Sequence, residues 1–155
     1  MPAQKSLAAT IVKAGLLAGT LDIGIACIQF YSKTGKTPLI VLKYIASAFF
    51  GKEAFAGGNE MALYGLILHY IIAFGWTIIF FIIYPRLPFL RISNILTSIL
   101  YGVLVWAMME RVLVPLTKAS QQPFDVQKAI SAALILSIAV GFPLSVFAKR
   151  YYGGK

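Results

Sequence analysis

The hydrophobic residues of this chain are grouped into long runs that short polar segments separate. One run, from Ala62 to Tyr84, reads ALYGLILHYIIAFGWTIIFFIIY, and His69 is its only titratable side chain apart from tyrosines. At about 1.5 Å of rise per residue this run reaches about 34 Å as a helix, and the hydrocarbon core of a bilayer is about 30 Å thick. The pattern therefore predicts a membrane-spanning helix at 62–84.

Three further apolar runs have a similar length and predict spans at about residues 8–31, 92–116 and 126–148. Backbone groups in hydrocarbon must be hydrogen-bonded within the protein, and a helix achieves this within one segment. The expected fold class is therefore all-α, an integral membrane four-helix bundle in a single transmembrane domain.

The segment between the first two spans has a different pattern. Lys43, Ser47 and Gly51 recur every four residues, and Leu39, Leu42, Ile45, Ala46 and Phe49 lie largely on the other side of a helix. This arrangement is typical of an amphipathic helix that lies along the membrane interface rather than crossing it. We expect such an additional helix at about 38–55.

Composition and charge support a membrane location. The chain is 59% hydrophobic and 12% charged, with a mean hydropathy of +0.82 and a net charge of +9. The cations lie at the ends of the apolar runs rather than among aromatic residues on a polar face, which argues against nucleic-acid binding and for the lipid bilayer as the partner.

Four spans place both termini on one side of the membrane. The cations on that side are Lys5, Lys13, Arg86, Arg91, Lys149, Arg150 and Lys155. Those on the opposite side are Lys33, Lys36, Lys43, Lys52, Lys118 and Lys128. The first set lies in short segments without acidic residues, where the positive-inside bias operates, so we expect both termini in the cytoplasm.

Small residues recur at four-residue spacing in the spans. Such residues let helix backbones approach one another, both within one chain and between chains. The glycines expected at helix-packing positions are Gly15, Gly19, Gly65, Gly102 and Gly141.

Ionisable residues inside the spans fall at similar depths. Combining helix direction with rise per residue places Asp22, His69, Glu110 and Arg111 between about 3 and 10 Å from the midplane, all in the half opposite the termini. Charges at this depth need partners, so these four residues predict one intramembrane polar cluster.

The polar cluster has several interpretations. Arg111 could pair with Asp22 or Glu110 and fix helix register without any turnover, or the cluster could hold a ligand, a proton or an ion, as in a small transport or permeation unit. The protein could instead be a non-catalytic scaffold or accessory subunit, with a second copy or another membrane protein as partner.

A membrane-embedded enzyme is the third class of function. His69 could act as a base, with Cys27 or Ser131 as the nearest nucleophiles, but no catalytic motif accompanies them. A single histidine cannot supply bis-histidine haem, and His69 with Asp22 and Glu110 is a weak metal set, so we expect no cofactor.

Four stretches of the sequence carry a resemblance to known proteins. They are GLLAGTLDI (15–23), FGKEAFAGG (50–58), LHYIIAFGWTIIFFIIYPR (68–86) and YGVLVWAMMERVLVPL (101–116). Together they resemble a family of small uncharacterised bacterial four-helix inner-membrane proteins. The resemblance implies four helices in the bacterial inner (cytoplasmic) membrane, and it assigns no activity and no site residue.

Overall fold

The structure, a computed structural model, describes residues 6–121 and 123–153. This part of the chain contains helices and no strands, which confirms the all-α four-helix bundle. The helices are α1 (Leu7–Thr34), α2 (Leu39–Phe50), α3 (Glu53–Ala56), α4 (Asn59–Ile83), α5 (Asn94–Met108), α6 (Val126–Leu136) and α7 (Phe142–Tyr152).

Four continuous helical segments are long and apolar enough to cross a membrane. They are Leu7–Thr34, Asn59–Arg86, Asn94–Leu116 and Val126–Tyr152. Their bounds differ from the expected spans by up to four residues, and the largest extension is at the end of the fourth, where the helix continues beyond 148 to Tyr152. Three of these segments have a polar N-cap residue. The side chains of Ser6, Ser93 and Asp125 each accept a hydrogen bond from a backbone N–H in the first turn of the helix that follows.

Two of the four segments contain a π-helical turn. One, Met109–Leu113, follows α5, and the other, Ser137–Gly141, joins α6 to α7. A π turn inserts an extra residue into a helix and shifts the faces on either side of it, and such turns occur frequently at functional sites. The sequence analysis did not anticipate either turn.

The helix expected at 38–55 is divided. α2 ends at Phe50, Gly51 adopts a φ of 61°, and the short α3 then begins at Glu53. The prediction of one continuous helix was wrong at this point, because Gly51 adopts a positive φ with an extended ψ of −145°, which interrupts the helix.

The five glycines expected at packing positions all lie against another helix. A Cβ at Gly65 would lie 2.7 Å from the carbonyl carbon of Leu42, and one at Gly102 would lie 2.5 Å from Cα of Ser137. Gly15, Gly19 and Gly141 face Phe74, Tyr70 and Ser98 respectively. α2 therefore crosses α4 with backbone in contact at Gly65, and α5 meets the second π turn in the same way.

Aromatic rings fill the half of the bundle nearest the termini. Phe80 packs on Tyr101 with ring centroids 4.6 Å apart, and Tyr84 stacks on Tyr152 at 5.9 Å. The Tyr152 hydroxyl also donates to the carbonyl of Phe81 over 2.8 Å. These five residues, the aromatic cluster, join α4, α5 and α7 at this end.

The opposite end of the bundle carries α2 and the longer connections. The amide of Lys118 donates to the carbonyl of Ala48 over 3.0 Å, and the Tyr44 hydroxyl donates to the carbonyl of Ser120 over 3.2 Å. α2 is therefore held between α4 and the connection that follows residue 116.

Candidate functional site

A cavity of about 120 Å³ lies inside the bundle between α1, α2 and α4. Its walls are mostly apolar, and Asp22 and His69 are the only charged or titratable side chains among the described residues that line it. The lining residues are Ala18, Gly19, Asp22, Ile45, His69, Ile72, Ala73, Trp76, Met109 and Val140. We call this space the inner cavity.

Five separate segments build the inner cavity. α1 and α4 supply its two polar groups, and Ile45 of α2 closes one side. The two π turns supply Met109 and Val140. Each π turn therefore contributes one wall of the cavity, although the two turns lie far apart in the chain.

His69 is buried and its tautomer is fixed by one contact. Its Nε2 lies 2.8 Å from the carbonyl oxygen of Gly19, and a carbonyl can only accept a hydrogen bond. Nε2 therefore carries the hydrogen that the Gly19 carbonyl accepts. The ring of Tyr70 packs against the imidazole edge-on at 5.5 Å.

Asp22 lies one helical turn beyond Ala18 and Gly19, on the same side of α1. Its carboxylate is half-buried and makes no hydrogen bond with another described residue, while it interacts electrostatically with His69. A carboxylate in an apolar wall has lost hydrogen bonds to water, and no protein donor replaces them here. The Asp22 carboxylate is therefore available to a proton or to a hydrogen-bond donor inside the cavity.

Glu110 and Arg111 belong to a different site. Together with Tyr44, Trp106, Phe124, Asp125 and Lys128 they line a pocket of about 380 Å³ at the end opposite the termini, which we call the outer pocket. The Arg111 guanidinium lies 4.2 Å from the centre of the Phe124 ring, and both Glu110 and Arg111 are exposed. The structure brings Asp22 and His69 together but does not join them to Glu110 and Arg111 in one cluster.

The expected pairing of Arg111 with Asp22 or Glu110 does not appear in the described part of the chain. Met109 lines the inner cavity, whereas Glu110 and Arg111 lie on other faces of the same helical segment and line the outer pocket, as does Trp106 one turn before Glu110. Equal expected depth along the four segments did not imply the same side of the bundle.

Tyr44 links the outer pocket to α2. Burial raises the pKa of its phenol above the usual 10.0, and the negative charge of Glu110 raises it further. The hydroxyl therefore stays protonated as a donor to the carbonyl of Ser120.

Sequence reasoning missed Trp76 and Met109. Residues 69, 72, 73 and 76 follow the spacing of one helical face, so the helical period starting from His69 would have identified Trp76. The indole N–H of Trp76 donates to the sulfur of Met109 over 3.4 Å, which fixes the orientation of the indole ring in the cavity wall. No sequence rule locates the π turn that brings Met109 there.

Neither catalysis nor metal binding gains support from the geometry. None of the described residues lining the inner cavity carries a hydroxyl or a thiol, and neither Cys27 nor Ser131 is among them. Within residues 6–121 and 123–153, no group of three His, Cys, Asp or Glu side chains could hold a metal ion.

Comparisons with protein-family models, with curated proteins and with solved structures gave no match for this chain.

Proposed function

We propose that the chain is a multi-pass membrane protein that acts as a small transport, permeation or ligand-binding unit built around the inner cavity. One observation carries the proposal. Asp22 and His69, from different helices, line a single cavity whose other walls are apolar. The hydrogen bond to Gly19 accounts for one nitrogen of His69, but the half-buried carboxylate of Asp22 has no hydrogen-bond partner among the described residues, so a small polar occupant of the cavity is its best use.

The outer surface of the four long segments supports insertion in a membrane. Large apolar side chains are well exposed on each of them, for example Ile28 at 68%, Ile71 at 62%, Ile95 at 67% and Ile138 at 67%. In water this surface would form apolar patches far larger than soluble monomers carry, whereas lipid covers it without cost. The bacterial inner membrane is the compartment that the sequence resemblance implies.

The cation distribution supports a cytoplasmic location for both termini. Cysteine labelling tests it in a Cys27→Ser background, with Lys36→Cys at one end of the bundle and Gly153→Cys at the other. In intact spheroplasts a membrane-impermeant maleimide should label the first variant and not the second. The opposite pattern would invert the topology.

Solute binding and permeation test the proposed function directly. We would reconstitute the protein in liposomes and measure influx of methylammonium, guanidinium, urea and glycine. In parallel, Trp76 fluorescence would be followed in a Trp106→Phe variant, where Trp76 is the remaining tryptophan. At least one solute should cross faster than in protein-free liposomes or change the Trp76 emission saturably.

Matched variants assign the effect to the cavity. Asp22→Asn with His69→Gln should remove the response, whereas Glu110→Gln, which changes the outer pocket, should behave like the parent. If the parent neither passes nor binds any of the four solutes, the proposed function is wrong.

The alternative function is a non-catalytic scaffold or accessory subunit of a membrane complex. The outward face of α4 favours it, because Tyr70, Phe74 and Gly75 line an apolar groove there, and a Cβ at Gly75 would meet nothing within 4 Å. Mass determination of the complex extracted from native membranes distinguishes a monomer, a homo-oligomer and an assembly with another protein.

A further inference from the structure

The outer pocket carries charges of both signs around one space. Arg111 and Lys128 line it with cationic groups, and Glu110 and Asp125 line it with carboxylates, so the charges of the described lining residues balance. Within residues 6–121 and 123–153, the side chains of Glu110, Arg111 and Lys128 form no hydrogen bond and no ion pair with another residue. These three charged groups are therefore available to the charges of a ligand.

The charges of opposite sign lie against different parts of the pocket wall. The Arg111 guanidinium lies 4.2 Å from the centre of the Phe124 ring, and Lys128 follows in the first turn of α6. Glu110 lies near Tyr44 of α2, since its negative charge raises the pKa of that phenol. Asp125 is engaged as the cap of α6, where its carboxylate accepts from the amide of Lys128 over 3.1 Å.

A pocket with this charge pattern selects a ligand by its charges. An anion would approach Arg111 and Lys128 but would be repelled by Glu110, and a cation would face the reverse. A zwitterion satisfies both signs. A volume of about 380 Å³ equals that of about a dozen water molecules, which is room enough for a phosphate joined to a two-carbon amine.

The pocket lies beside surface that lipid would cover. It is formed where the third long segment ends and the fourth begins, and the ends of membrane spans lie near the lipid headgroups. Large apolar side chains next to it in the chain are well exposed, namely Leu116 at 79%, Phe124 at 58%, Val126 at 60% and Ile130 at 57%. A lipid could place its headgroup in the pocket and its acyl chains against these residues.

We propose that the outer pocket binds the headgroup of a zwitterionic phospholipid that carries a primary amine, such as phosphatidylethanolamine. Arg111 and Lys128 hold the phosphate, and the Glu110 carboxylate accepts hydrogen bonds from the ammonium group. A trimethylammonium group has no N–H to donate, so phosphatidylcholine fits Glu110 less well. The inference shares membrane insertion with the proposed function and does not depend on the inner cavity.

Native mass spectrometry of the full-length protein, released from detergent micelles, tests the lipid selectivity. Phosphatidylethanolamine, phosphatidylcholine and phosphatidylglycerol with identical acyl chains are titrated in parallel. The protein should bind phosphatidylethanolamine at least about fivefold more tightly than either of the others, because only this headgroup offers both a phosphate and ammonium hydrogens. If either competitor binds as tightly, the inference is wrong.

Variants at the pocket identify the groups that read the headgroup. Arg111→Gln with Lys128→Gln should weaken phosphatidylethanolamine binding at least about fivefold. Glu110→Gln should weaken phosphatidylethanolamine and tighten phosphatidylglycerol by about fivefold, because the pocket then carries a net positive charge. Lys36→Gln and Glu53→Gln change exposed charges at the same end of the bundle but outside the pocket, so they should match the parent.

The opposite shifts expected for Glu110→Gln separate recognition from folding. A loss of structure would weaken the binding of both lipids, whereas the lost carboxylate changes their affinities in opposite directions. If Glu110→Gln leaves the ratio of the two affinities unchanged, Glu110 does not hold the ammonium group and the inference is wrong.

A soluble molecule with the same headgroup is the other source of this chemistry. Glycerophosphoethanolamine lacks acyl chains, so it should displace the lipid only at concentrations at least about a hundredfold higher. If it competes as well as the lipid does, the ligand is soluble and lipid recognition is wrong. The proposed function fails by a different measurement, the solute response of the inner cavity, so the two failures are distinguishable.

Discussion

The crossing of α2 over α4 at Gly65 allows a direct test of how closely this bundle is packed. A Cβ at this position would lie 2.7 Å from the carbonyl carbon of Leu42 and nearer still to its oxygen, and ordinary contact begins at 3.4 Å. Gly65→Ala therefore requires α2 to move away by about 1.5 Å to relieve the contact with the carbonyl oxygen, because a carbonyl inside a helix cannot rotate aside.

The expected cost follows from known overpacking effects. Inserting a methyl group into a filled interface costs about 1–3 kcal/mol, and alanine recovers about 0.5–1 kcal/mol of this through its higher helix propensity. Gly75→Ala is the control, because Gly75 lies in the same helix and a Cβ there would meet nothing within 4 Å. Both variants gain the same helix propensity, so their difference isolates the packing cost at Gly65. The difference in unfolding free energy between the two variants should be about 1–3 kcal/mol.

Two assays report the effect. Thermal unfolding in detergent should place Gly65→Ala below Gly75→Ala by about 2–4 °C per kcal/mol. Hydrogen exchange should accelerate in α2 and remain unchanged in α5, because the substitution weakens the packing of α2 against α4. If the two alanine variants unfold at the same temperature and α2 exchanges as in the parent, the close crossing at Gly65 is wrong.

Three further predictions follow from the described contacts. Arg111→Ala should cost only about 0.5–1 kcal/mol in denaturant unfolding, because the exposed guanidinium contacts the Phe124 ring, whereas a loss of about 3–5 kcal/mol would indicate a carboxylate partner. Gly102→Ala and Gly141→Ala should each destabilise the bundle by at least about 1 kcal/mol, since both face backbone of the opposing segment, and Gly24→Ala, with nothing within 4 Å, is the control for the same melting assay. The pKa of Tyr44 is raised in the folded protein, so the unfolded chain loses this proton first and stability should fall as pH rises above 10.0. Tyr44→Phe should reduce that fall. Glu110→Gln should lower the titration midpoint of Tyr44 measured by absorbance, and an unchanged midpoint would contradict the proximity of Glu110 and Tyr44.

The sequence determined the fold class because its signals are strong and local. Each of the four long apolar runs must be helical if it lies in lipid, and small residues spaced four apart indicated the contact faces. The break at Gly51 was missed because Lys52 and Glu53, which follow it, are good helix formers and favour continuation of the helix. The positive φ of Gly51 cannot be read from the sequence.

The candidate site was only half predictable for a geometric reason. Rise per residue gives depth, and depth correctly indicated that Asp22 and His69 lie at similar levels. It contains no information about position around the bundle axis, and Glu110 and Arg111 lie on the side of the outer pocket, together with Trp106. Trp76 and Ile45 carry no charge, so a search for ionisable residues could not select them.

The aromatic cluster has a mechanical consequence for the inner cavity. The Tyr101 hydroxyl donates to the carbonyl of Trp76 over 2.5 Å, which ties the cavity wall to the rings packed near the termini. Ile45, on the opposite side, belongs to a helix flanked by Gly35 and Gly51, both with positive φ. If the inner cavity exchanges a solute as proposed, the wall at Trp76 stays tied to the aromatic rings, and the opening is expected on the side of Ile45 in α2.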